Sequence, residues 1–357
     1  FSLRPFTPPD FTQEKFQNAP NAVLVPCPKD GVAPEHYHAM SIFPEYFKVE
    51  GQWIMAKESR MDCVPVYENG VIYVRILKAG DLVFTGRTEN CEDGIYVYPD
   101  GFQESAAQQD VFAFRQNRSR ETAFSKDYDE IYDLLRHDRD HGKIVWVMGP
   151  AFAFDYDARN AFEKLVNNGY VHAMLAGNAL ATHDLEAGYR STALGQDIYT
   201  QISQPGGHYN HIDTINQVRK AGSIEKFVAE QNIQDGIMAA CVQCKVPYVL
   251  TGSIRDDGPL PEVYADVYEG QNAMRDQVKK STTVICLATT LHSIATGNMT
   301  PSYRVLADGT VRPVYFYSVD VSEFAVNKLR DRGSLAVKTI VTNVQDFIVN
   351  VQRGLSL

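Results

Sequence analysis

The sequence predicts an α/β protein in which a doubly wound, mostly parallel Rossmann-like sheet is preceded by a smaller β-rich domain. From residue 143 onward, short apolar runs alternate with segments of helical periodicity, which is typical of strands buried on both faces by crossover helices. Before residue 113 the segments are short and are separated by turn residues at hairpin spacing. The two patterns predict two domains, in agreement with a length of 357 residues.

The composition limits the classes of partner. With 44% hydrophobic and 22% charged residues, the chain has the composition of a soluble globular protein. Its net charge of -10 argues against nucleic acid as a partner, because phosphate neutralisation needs clustered lysine and arginine. No apolar run approaches the ~18 residues of a membrane span, and residues 1–10 lack the features of a secretory signal. We therefore expect a cytoplasmic protein with no membrane partner.

The cysteines do not form a pattern typical of a disulfide framework. There are 6, scattered along the chain, and only Cys241 and Cys244 are close together. A single C-x-x-C pair is a weak signal for metal or redox chemistry. Because residues 236–244 have the character of a helix, we expect both thiols to be buried in the core.

The chain divides into four predicted segments. Residues 1–34 are rich in Pro, Asn and Phe without periodicity, which predicts an arm lying on another surface. Residues 35–112 are predicted to form the β-rich domain, a substrate or cap domain, with a hairpin across residues 46–55. Residues 113–142 are predicted to be a connecting helical segment, and residues 143–357 the α/β domain.

The α/β domain is predicted to alternate strands and helices. Strands are expected at residues 144–148, 171–175, 248–250, 283–287, 314–319 and 336–341. Helices are expected at residues 158–167, 184–190, 211–221, 224–231, 236–244, 262–279, 322–330 and 344–352. Since parallel strands place their carboxyl ends at one edge of a sheet, ligand-binding residues are expected to gather there.

Two strand-to-turn junctions, in residues 246–261 and 283–298, contain the polar residues expected at that edge. They are Arg255, Asp256, Asp257 and His292. The alternative interpretation gives the two aspartates to solvent or to a helix N-terminus, and the histidine to a satisfied hydrogen bond. The spacing alone leaves both interpretations open.

The usual dinucleotide-binding signal is absent, because Gly149 stands alone after the first strand where G-x-G-x-x-G would be expected. Phosphates can also be held by other turns at helix N-termini, and residues 176–179 and 296–298 are candidates. Asp320 follows the strand at residues 314–319, where a carboxylate can accept hydrogen bonds from a ribose diol. It could equally be a helix N-cap before Glu323.

Two groups of histidines do not predict a metal site. His137 and His141 are four residues apart on the connecting segment, but no third ligand is nearby. Residues 206–211 combine two glycines with His208 and His211, which fits either a structural turn or a substrate loop. A zinc site there would need further ligands that the surrounding sequence lacks. We expect no metal.

Four stretches together resemble one family. They are residues 176–186, 251–261, 288–299 and 319–321, and the resemblance is dense from about residue 143 to residue 351. The chain resembles the archaeal-type NAD-dependent ornithine cyclodeaminases, which also form the carboxy-terminal half of cyanobacterial bifunctional arginine dihydrolase/ornithine cyclodeaminases. LOR/SDH conserved-region proteins belong to the same group. The resemblance implies NAD as the cofactor and a small amino acid as the substrate.

By this resemblance the NAD contacts fall on Asn178, Ala179, Asp257, Thr289, Thr290, Leu291, His292, Asp320, Asn343 and Val344. Two features depart from the family pattern. Asn343 stands where the family usually has an aspartate, and an amide keeps one acceptor while adding a donor. Residues 112–120 are rich in arginine where the family has a Ser/Glu-rich motif. In the family, the amino-terminal domain closes over the nicotinamide end of the cofactor.

The reaction that the resemblance implies is the conversion of ornithine to proline and ammonia through a transient hydride transfer to NAD. Such a reaction needs a carboxylate to move protons and a cation for the substrate carboxylate. Asp256 or Asp257 is our candidate for the first, and Arg255 or an arginine from residues 115–120 for the second. An NAD-dependent amino-acid or opine-type dehydrogenase and a non-catalytic NAD-binding protein are the alternatives. Exposed apolar helices suggest a homo-oligomer.

Overall fold

The computed structural model describes residues 1–102, 120–321 and 335–357. In the helix that begins at Arg120, side chains are described from Asp127 onward. The predicted helix at residues 322–330 lies outside the described residues, as do Glu323 and residues 112–119. Among the helices in the described parts of the chain, none is both long and apolar enough to span a membrane.

The amino-terminal region forms two small antiparallel sheets. Its elements are α1 (Glu14–Gln17), β1 (Val23–Pro26), β2 (Glu45–Val49), β3 (Gln52–Met55), β4 (Pro65–Glu68), β5 (Val71–Val74), β6 (Leu82–Thr85) and β7 (Ile95–Val97). The strand orders are β1-β6-β4-β5 and β3-β2-β7. The two sheets share an apolar core in which the rings of Phe47 and Phe84 stack with their centroids 4.2 Å apart.

The hairpin across residues 46–55 is confirmed, since β2 pairs with β3 in an antiparallel register. Its turn residues Glu50 and Gly51 both have positive φ, at 49° and 80°, which is the backbone shape of a tight two-residue hairpin turn. One strand of this amino-terminal region was not predicted. It is β1, which lies within the segment expected to be an arm and pairs with β6. The start of the arm lies on the α/β domain, where the Arg4 N–H donates to the Tyr315 hydroxyl at 3.2 Å.

The α/β domain follows the long helix α2 (Arg120–His141). Its next elements are β8 (Ile144–Met148), a 3-10 helix (Pro150–Phe154), α3 (Tyr156–Asn167), β9 (Ala173–Gly177), α4 (Asn178–Arg190), β10 (Thr192–Ala193), β11 (Gln196–Asp197), α5 (His208–Ala221), α6 (Ile224–Glu230), α7 (Ile237–Gln243) and β12 (Tyr248–Thr251). The remaining elements are α8 (Val267–Val278), β13 (Thr283–Leu287), α9 (Thr290–Met299), β14 (Tyr303–Val305), β15 (Val311–Pro313), β16 (Tyr315–Asp320), β17 (Ala336–Val341) and α10 (Val344–Gly354).

The predicted parallel sheet is confirmed. It has 6 strands in the order β12-β9-β8-β13-β16-β17, and every neighbouring pair is parallel. The order reverses between β8 and β13, which makes this position the topological switch point of a doubly wound fold. Strand β13, one of the two central strands, is buried along its whole length, as expected for a strand covered on both faces.

The short two-stranded pairs β10–β11 and β14–β15 were not predicted, and three further features of this domain differ from the sequence-based expectation. Helix α4 begins at Asn178, six residues earlier than the polar pattern indicates, because Thr182, His183 and Asp184 are buried inside it. Helix α9 was not predicted, since its small residues give little helical periodicity. The thiol of Cys241 is buried, but Cys244 follows α7 and is exposed, so the expectation of two buried thiols is wrong for Cys244.

The described contacts that attach the β-rich domain lie at the amino ends of the parallel strands. The Tyr303 hydroxyl donates to the Ala56 carbonyl at 2.7 Å, and the Ser302 N–H to the Ser59 carbonyl at 2.8 Å. Ser302 also accepts from the Val314 N–H, directly before β16 begins. Within one chain, these contacts therefore join the β-rich domain to the edge of the sheet opposite the predicted crevice.

Candidate functional site

The carboxyl edge of the sheet brings the predicted strand-end residues together. Gly149, after β8, lies so close to Ala288, after β13, that a Cβ at position 149 would collide with the Ala288 carbonyl oxygen. This close approach lies between β8 and β13, the switch point of the strand order, where a doubly wound fold has its crevice. The lone glycine of the sequence is therefore required by the close approach of two backbones.

Two helices that start at this edge have N-termini without a side-chain cap. Helix α4 starts after Gly177 and helix α9 after Thr289, and neither N-cap residue accepts a hydrogen bond with its side chain. Helices α3, α6, α8 and α10 are capped by the side chains of Asp155, Ser223, Asp266 and Asn343, respectively. Free N–H groups and the helix dipole at α4 and α9 favour an anionic ligand such as a pyrophosphate.

Asn178 has a positioning role in the structure. Its side chain is buried, its Nδ2 donates to the Gly258 carbonyl at 3.0 Å, and its Oδ1 accepts from the Leu260 N–H at 2.9 Å. It therefore ties the loop after β12 to the start of α4. A ligand contact at Asn178 would have to use the backbone, whereas the neighbouring Ala179 is partly exposed.

The structure distinguishes the adjacent aspartates of the loop after β12. The Asp256 carboxylate accepts from the Ser253 N–H at 2.8 Å and so closes the turn. The Asp257 side chain is 63% exposed, and its Oδ2 lies 3.3 Å from Nε2 of His211. Arg255 is exposed in the same turn. Of the two carboxylates, that of Asp257 is the one available to a ligand.

His292 lies on the first turn of α9, after the exposed Thr290 and Leu291. Its Nε2 is 2.8 Å from the Thr251 hydroxyl at the end of β12, so the ring links two strand ends. Burial lowers the pKa of His292, so its imidazole is neutral at pH 7. The ring lies next to Gly177, where an added Cβ would make an ordinary van der Waals contact with it at 3.4 Å.

The remaining predicted residues follow β16 and β17. The Asp320 carboxylate accepts from the Val321 N–H at 2.6 Å and is partly exposed at the strand end. The Asn343 side chain accepts from the Gln345 N–H at 2.8 Å and thus serves as the N-cap of α10. Val344 is buried in the core, so only its backbone faces outward.

Sequence reasoning missed a buried cluster on α4 and α5. It consists of Glu186, His183 and His211. Glu186 Oε2 lies 3.3 Å from Nδ1 of His211 and 4.0 Å from Nδ1 of His183. The i, i+3 spacing of His183 and Glu186 was the available signal, since such residues share one helix face.

The Glu186 carboxylate is fully buried and has several donors. It accepts from the Thr192 hydroxyl at 2.8 Å and from the N–H groups of Leu194 and Gly195 at 3.0 and 2.9 Å. Burial alone would raise the pKa of Glu186. The two neighbouring imidazoles, the Gly195 N–H and the Thr192 hydroxyl outweigh burial and lower the pKa to about 2. Glu186 is therefore an anion at neutral pH.

A cavity of about 330 Å³ lies beside this cluster. Its lining residues are Phe154, Ala193, Leu194, Gln196, Asp197, Ile198 and Gln201. The ring of Phe154 contacts that of His183, with centroids 4.8 Å apart. The hydrogen bonds that the turn at residues 192–195 donates to Glu186 therefore shape one wall of the cavity.

The comparisons with known proteins agree with this geometry. A family model described as arginine dihydrolase ArgZ-like, C-terminal, Rossmann fold matches residues 129–351. An ornithine cyclodeaminase of Methanocaldococcus jannaschii is 38% identical over 337 residues, which are 91% of this chain and 75% of that protein. The crystal structure of a conserved LOR/SDH protein from Methanococcus maripaludis matches with a TM-score of 0.81 at 34% identity, covering 94% of this chain and 98% of that chain.

A structure of AgrE in ternary complex with ornithine and NAD+ matches with a TM-score of 0.58 at 32% identity. The match covers 95% of this chain and 46% of AgrE, so this chain spans about half of that bifunctional protein.

The sheet order and the crevice at its switch point define a dinucleotide-binding protein of the Rossmann class. Within that class, the chain belongs to the ornithine cyclodeaminase family, which includes the carboxy-terminal part of the ArgZ-like proteins. The family resemblance found in the sequence is thereby confirmed. The family is one of enzymes, the NAD-dependent ammonia-lyases.

Proposed function

We propose that this protein converts ornithine to proline and ammonia. NAD is the cofactor and is regenerated within each turnover. The observation that carries the proposal is the meeting of the strand-end residues at one crevice beside the exposed carboxylate of Asp257. Relatives at 36% to 38% identity are ornithine cyclodeaminases, and a bifunctional relative was crystallised with ornithine and NAD+.

The residues at the crevice fit NAD. The close approach at Gly149 and the side-chain-free N-caps of α4 and α9 provide space and N–H donors for a pyrophosphate. The carboxylate of Asp320 stands at a strand end where a ribose diol is held in this fold. When bound there, NAD would supply the reversible acceptance of the substrate Cα hydride.

The chain's own residues would then bind the substrate and move its protons. Asp257 is the proposed acid/base, because its carboxylate is exposed at the crevice, whereas that of Asp256 closes the turn. Arg255, in the same loop, is the proposed cation for the substrate carboxylate. His292, neutral and fixed by Thr251, can offer a hydrogen bond without adding charge.

Substrate selection is proposed to lie mainly with the loop after β12 and the segment between β10 and α5. Both are next to the crevice or to the cavity beside Glu186. The family resemblance implies that the amino-terminal domain closes over the cofactor. The described contacts attach the β-rich domain of this chain at the opposite edge. Residues 115–119, the other predicted source of an arginine, lie outside the described residues.

The proposal is tested with the purified protein, NAD and L-ornithine. Proline and ammonia should form in equal amounts while the total NADH concentration stays constant over many turnovers. Steady accumulation of NADH with an oxo acid as product would instead identify an amino-acid or opine-type dehydrogenase. Calorimetric binding of NAD with no turnover of any basic amino acid would identify a non-catalytic NAD-binding protein. Either result would overturn the proposal.

We also infer that the protein forms a homo-oligomer. Exposed apolar side chains concentrate between residues 194 and 212, and they are Leu194, Tyr199, Ile202, Tyr209 and Ile212. Monomeric proteins rarely expose large contiguous apolar patches, so this surface favours contact with another copy.

The expected cytoplasmic location remains a prediction.

A further inference from the structure

The ring of His211 lies between two carboxylates from different parts of the fold. Its Nδ1 is 3.3 Å from Oε2 of Glu186 on α4, and its Nε2 is 3.3 Å from Oδ2 of Asp257 in the loop after β12. The side chain of His211 is 11% exposed, that of Glu186 is fully buried, and that of Asp257 is 63% exposed. The three groups thus form a line from the protein interior to the mouth of the crevice.

We propose that His211 relays protons to and from Asp257, with Glu186 holding the ring and compensating the charge that the ring gains. The inference rests on the proposed function, because it assigns the path taken by the proton that this reaction must move. Glu186 and His211 are positioning residues in this scheme, since Asp257 is the group that faces the substrate.

The charges around His211 favour this role. The titratable groups that face it are Glu186 and His183, both on α4, and Asp257. With neutral imidazoles the cluster has the buried anion of Glu186 on one side of the ring and the exposed carboxylate of Asp257 on the other, so a proton on the ring lies between two negative charges. A histidine whose second nitrogen is held by a buried carboxylate is also fixed in one orientation, as in other carboxylate–histidine pairs.

The proton balance closes within one turnover. The substrate α-ammonium group gives a proton to the Asp257 carboxylate, which passes it to Nε2 of His211. The substrate δ-amine, entering neutral, attacks the Cα imine carbon and forms the ring C–N bond. The proton then returns by the same path to the α-nitrogen, which leaves as ammonia as its C–N bond breaks. The proton that the ring nitrogen loses in this step goes to the Asp257 carboxylate, which gives it back to the ring nitrogen once the hydride has returned to the carbon. His211 and Asp257 end in their starting protonation states, and no oxidant or reductant is needed beyond the cofactor of the proposed function.

His183, Glu186 and His211 have potential metal-ligand atoms within 4.8 Å of one another, so a bound metal is the competing interpretation of this cluster. Both oxygens of Glu186 already accept hydrogen bonds from Thr192, Leu194 and Gly195. A hydrogen-bonded cluster fits this arrangement better, because those bonds would compete with a metal for the carboxylate lone pairs. Nδ1 of His183 has no hydrogen-bond partner among the described residues. It faces Oε2 of Glu186 at 4.0 Å, which is longer than a hydrogen bond.

The test uses His211→Asn and His211→Gln in the full chain. The Asn amide can keep a donor toward Glu186, and the Gln amide a contact toward Asp257, but neither can carry a proton. We expect kcat to fall about 10²-fold in both variants while the affinity for NAD changes less than about threefold. His208→Gln is the matched control, because His208 is exposed on the first turn of the same helix. It should retain full activity. If one His211 variant does not fold, the other still provides the test.

The pH profile separates a relay from a purely structural role. A protonated His211 cannot accept the substrate proton, so the acidic limb of the kcat profile should change in the His211 variants, whereas a purely structural role would lower kcat by the same factor at every pH. The acidic limb should also differ from wild type in Glu186→Gln, because the compensating anion is gone, and it should be unchanged in His208→Gln.

The outcomes also separate the relay from the proposed function. Absence of ornithine turnover in the wild type would overturn the proposed function. Normal turnover of the wild type with an unchanged kcat and pH profile in both His211 variants would overturn the relay alone. Stoichiometric metal in the purified wild type, lost in His183→Gln, would overturn the relay in favour of a metal site.

Discussion

Asp256 and Asp257 are adjacent in the sequence, yet the structure gives their carboxylates different partners. Asp256 accepts a backbone hydrogen bond within its own loop, while Asp257 faces His211 and solvent. At the residue scale, function therefore depends on which of two identical side chains is left available by the turn. The sequence alone left this choice open, because neighbouring side chains in a turn have no fixed direction before the loop is anchored.

We expect Asp257→Asn to lower kcat by about 10²- to 10⁴-fold, because an amide cannot take or give the substrate proton. NAD affinity should stay within a few-fold, as measured by calorimetry. Asp256→Asn is the matched control and should reduce kcat much less. Equal losses of NAD affinity and turnover in the Asp257 variant would show that this residue clamps the cofactor instead.

Asp320 should determine the choice between NAD and NADP. A carboxylate at the end of β16 accepts from a ribose 2′-hydroxyl and repels a 2′-phosphate. Asp320→Ala is expected to weaken NAD binding by about 1 to 3 kcal/mol, the usual cost of leaving a polar partner unpaired. The readout is the dissociation constant of each dinucleotide, and a wild-type preference for NADP would contradict the assignment.

Glu186 should make stability dependent on acidity. Its pKa in the folded protein is about 2, below the ordinary value of 4.5, so folding favours the ionised form. Its contribution is fully present above about pH 4.5 and is lost as the pH falls through the folded pKa. Denaturant unfolding should show a wild-type advantage over Glu186→Gln that shrinks by up to about 3 kcal/mol between pH 4.5 and pH 2. A constant difference across that range would rule out this linkage.

At the element scale, one buried ion pair joins three parts of the α/β domain. Arg312 on β15 donates to both oxygens of Asp138 on α2, at 2.8 and 3.0 Å, and both side chains are fully buried. Asp138 also accepts from the hydroxyls of Thr282 and Thr283 at the start of β13. Arg312, Thr283 and His137 hold the pKa of Asp138 below its ordinary value in spite of burial. The pair thus fixes the amino edge of the sheet, opposite the crevice.

Arg312→Met is expected to lower the free energy of unfolding by about 3 to 5 kcal/mol, because it leaves a buried carboxylate without its cation. Urea unfolding at pH 7 measures this loss. The exposed pair of Lys279 and Asp276 provides the comparison, and Asp276→Asn should change stability by less than about 1 kcal/mol. Similar losses in the two variants would mean that burial does not govern the energetics.

At the scale of the whole molecule, the β-rich domain and the crevice lie at opposite edges of the parallel sheet. The apolar surface at residues 194–212 lies next to the cavity beside Glu186 and includes residues of α5. A second copy contacting this surface would cover the part of the chain next to the proposed site. Oligomer formation and substrate access are therefore connected in this arrangement.

Light scattering after size-exclusion chromatography should show a stable oligomer. Replacing Tyr199 and Ile202 by Asp should shift the protein toward monomer, since two desolvated charges oppose an apolar contact. Val267→Asp is a control at an exposed apolar residue on α8. A monomeric wild type, or dissociation caused equally by the control, would argue against this surface.

The strands of the parallel sheet and the residues at their carboxyl ends could be predicted from the sequence. This was possible because buried strands are short apolar runs and because parallel strands must end at a common edge. The resemblance added the family, which the comparisons confirmed. Helix α9 was missed, since its small residues provide no local period, and its position is set by β13 and the crevice.

The meeting of Glu186, His211 and Asp257 could not be predicted from the sequence and depends on the packing of the folded chain. The three residues are far apart in the chain, and their contacts depend on how α4 packs against α5 and on the hydrogen bonds from Asn178 to the loop after β12. The same holds for the edge at which the β-rich domain is attached, because it depends on hydrogen bonds to the β14–β15 hairpin. Local periodicity records which face of an element is buried, but it contains no information about which buried faces meet.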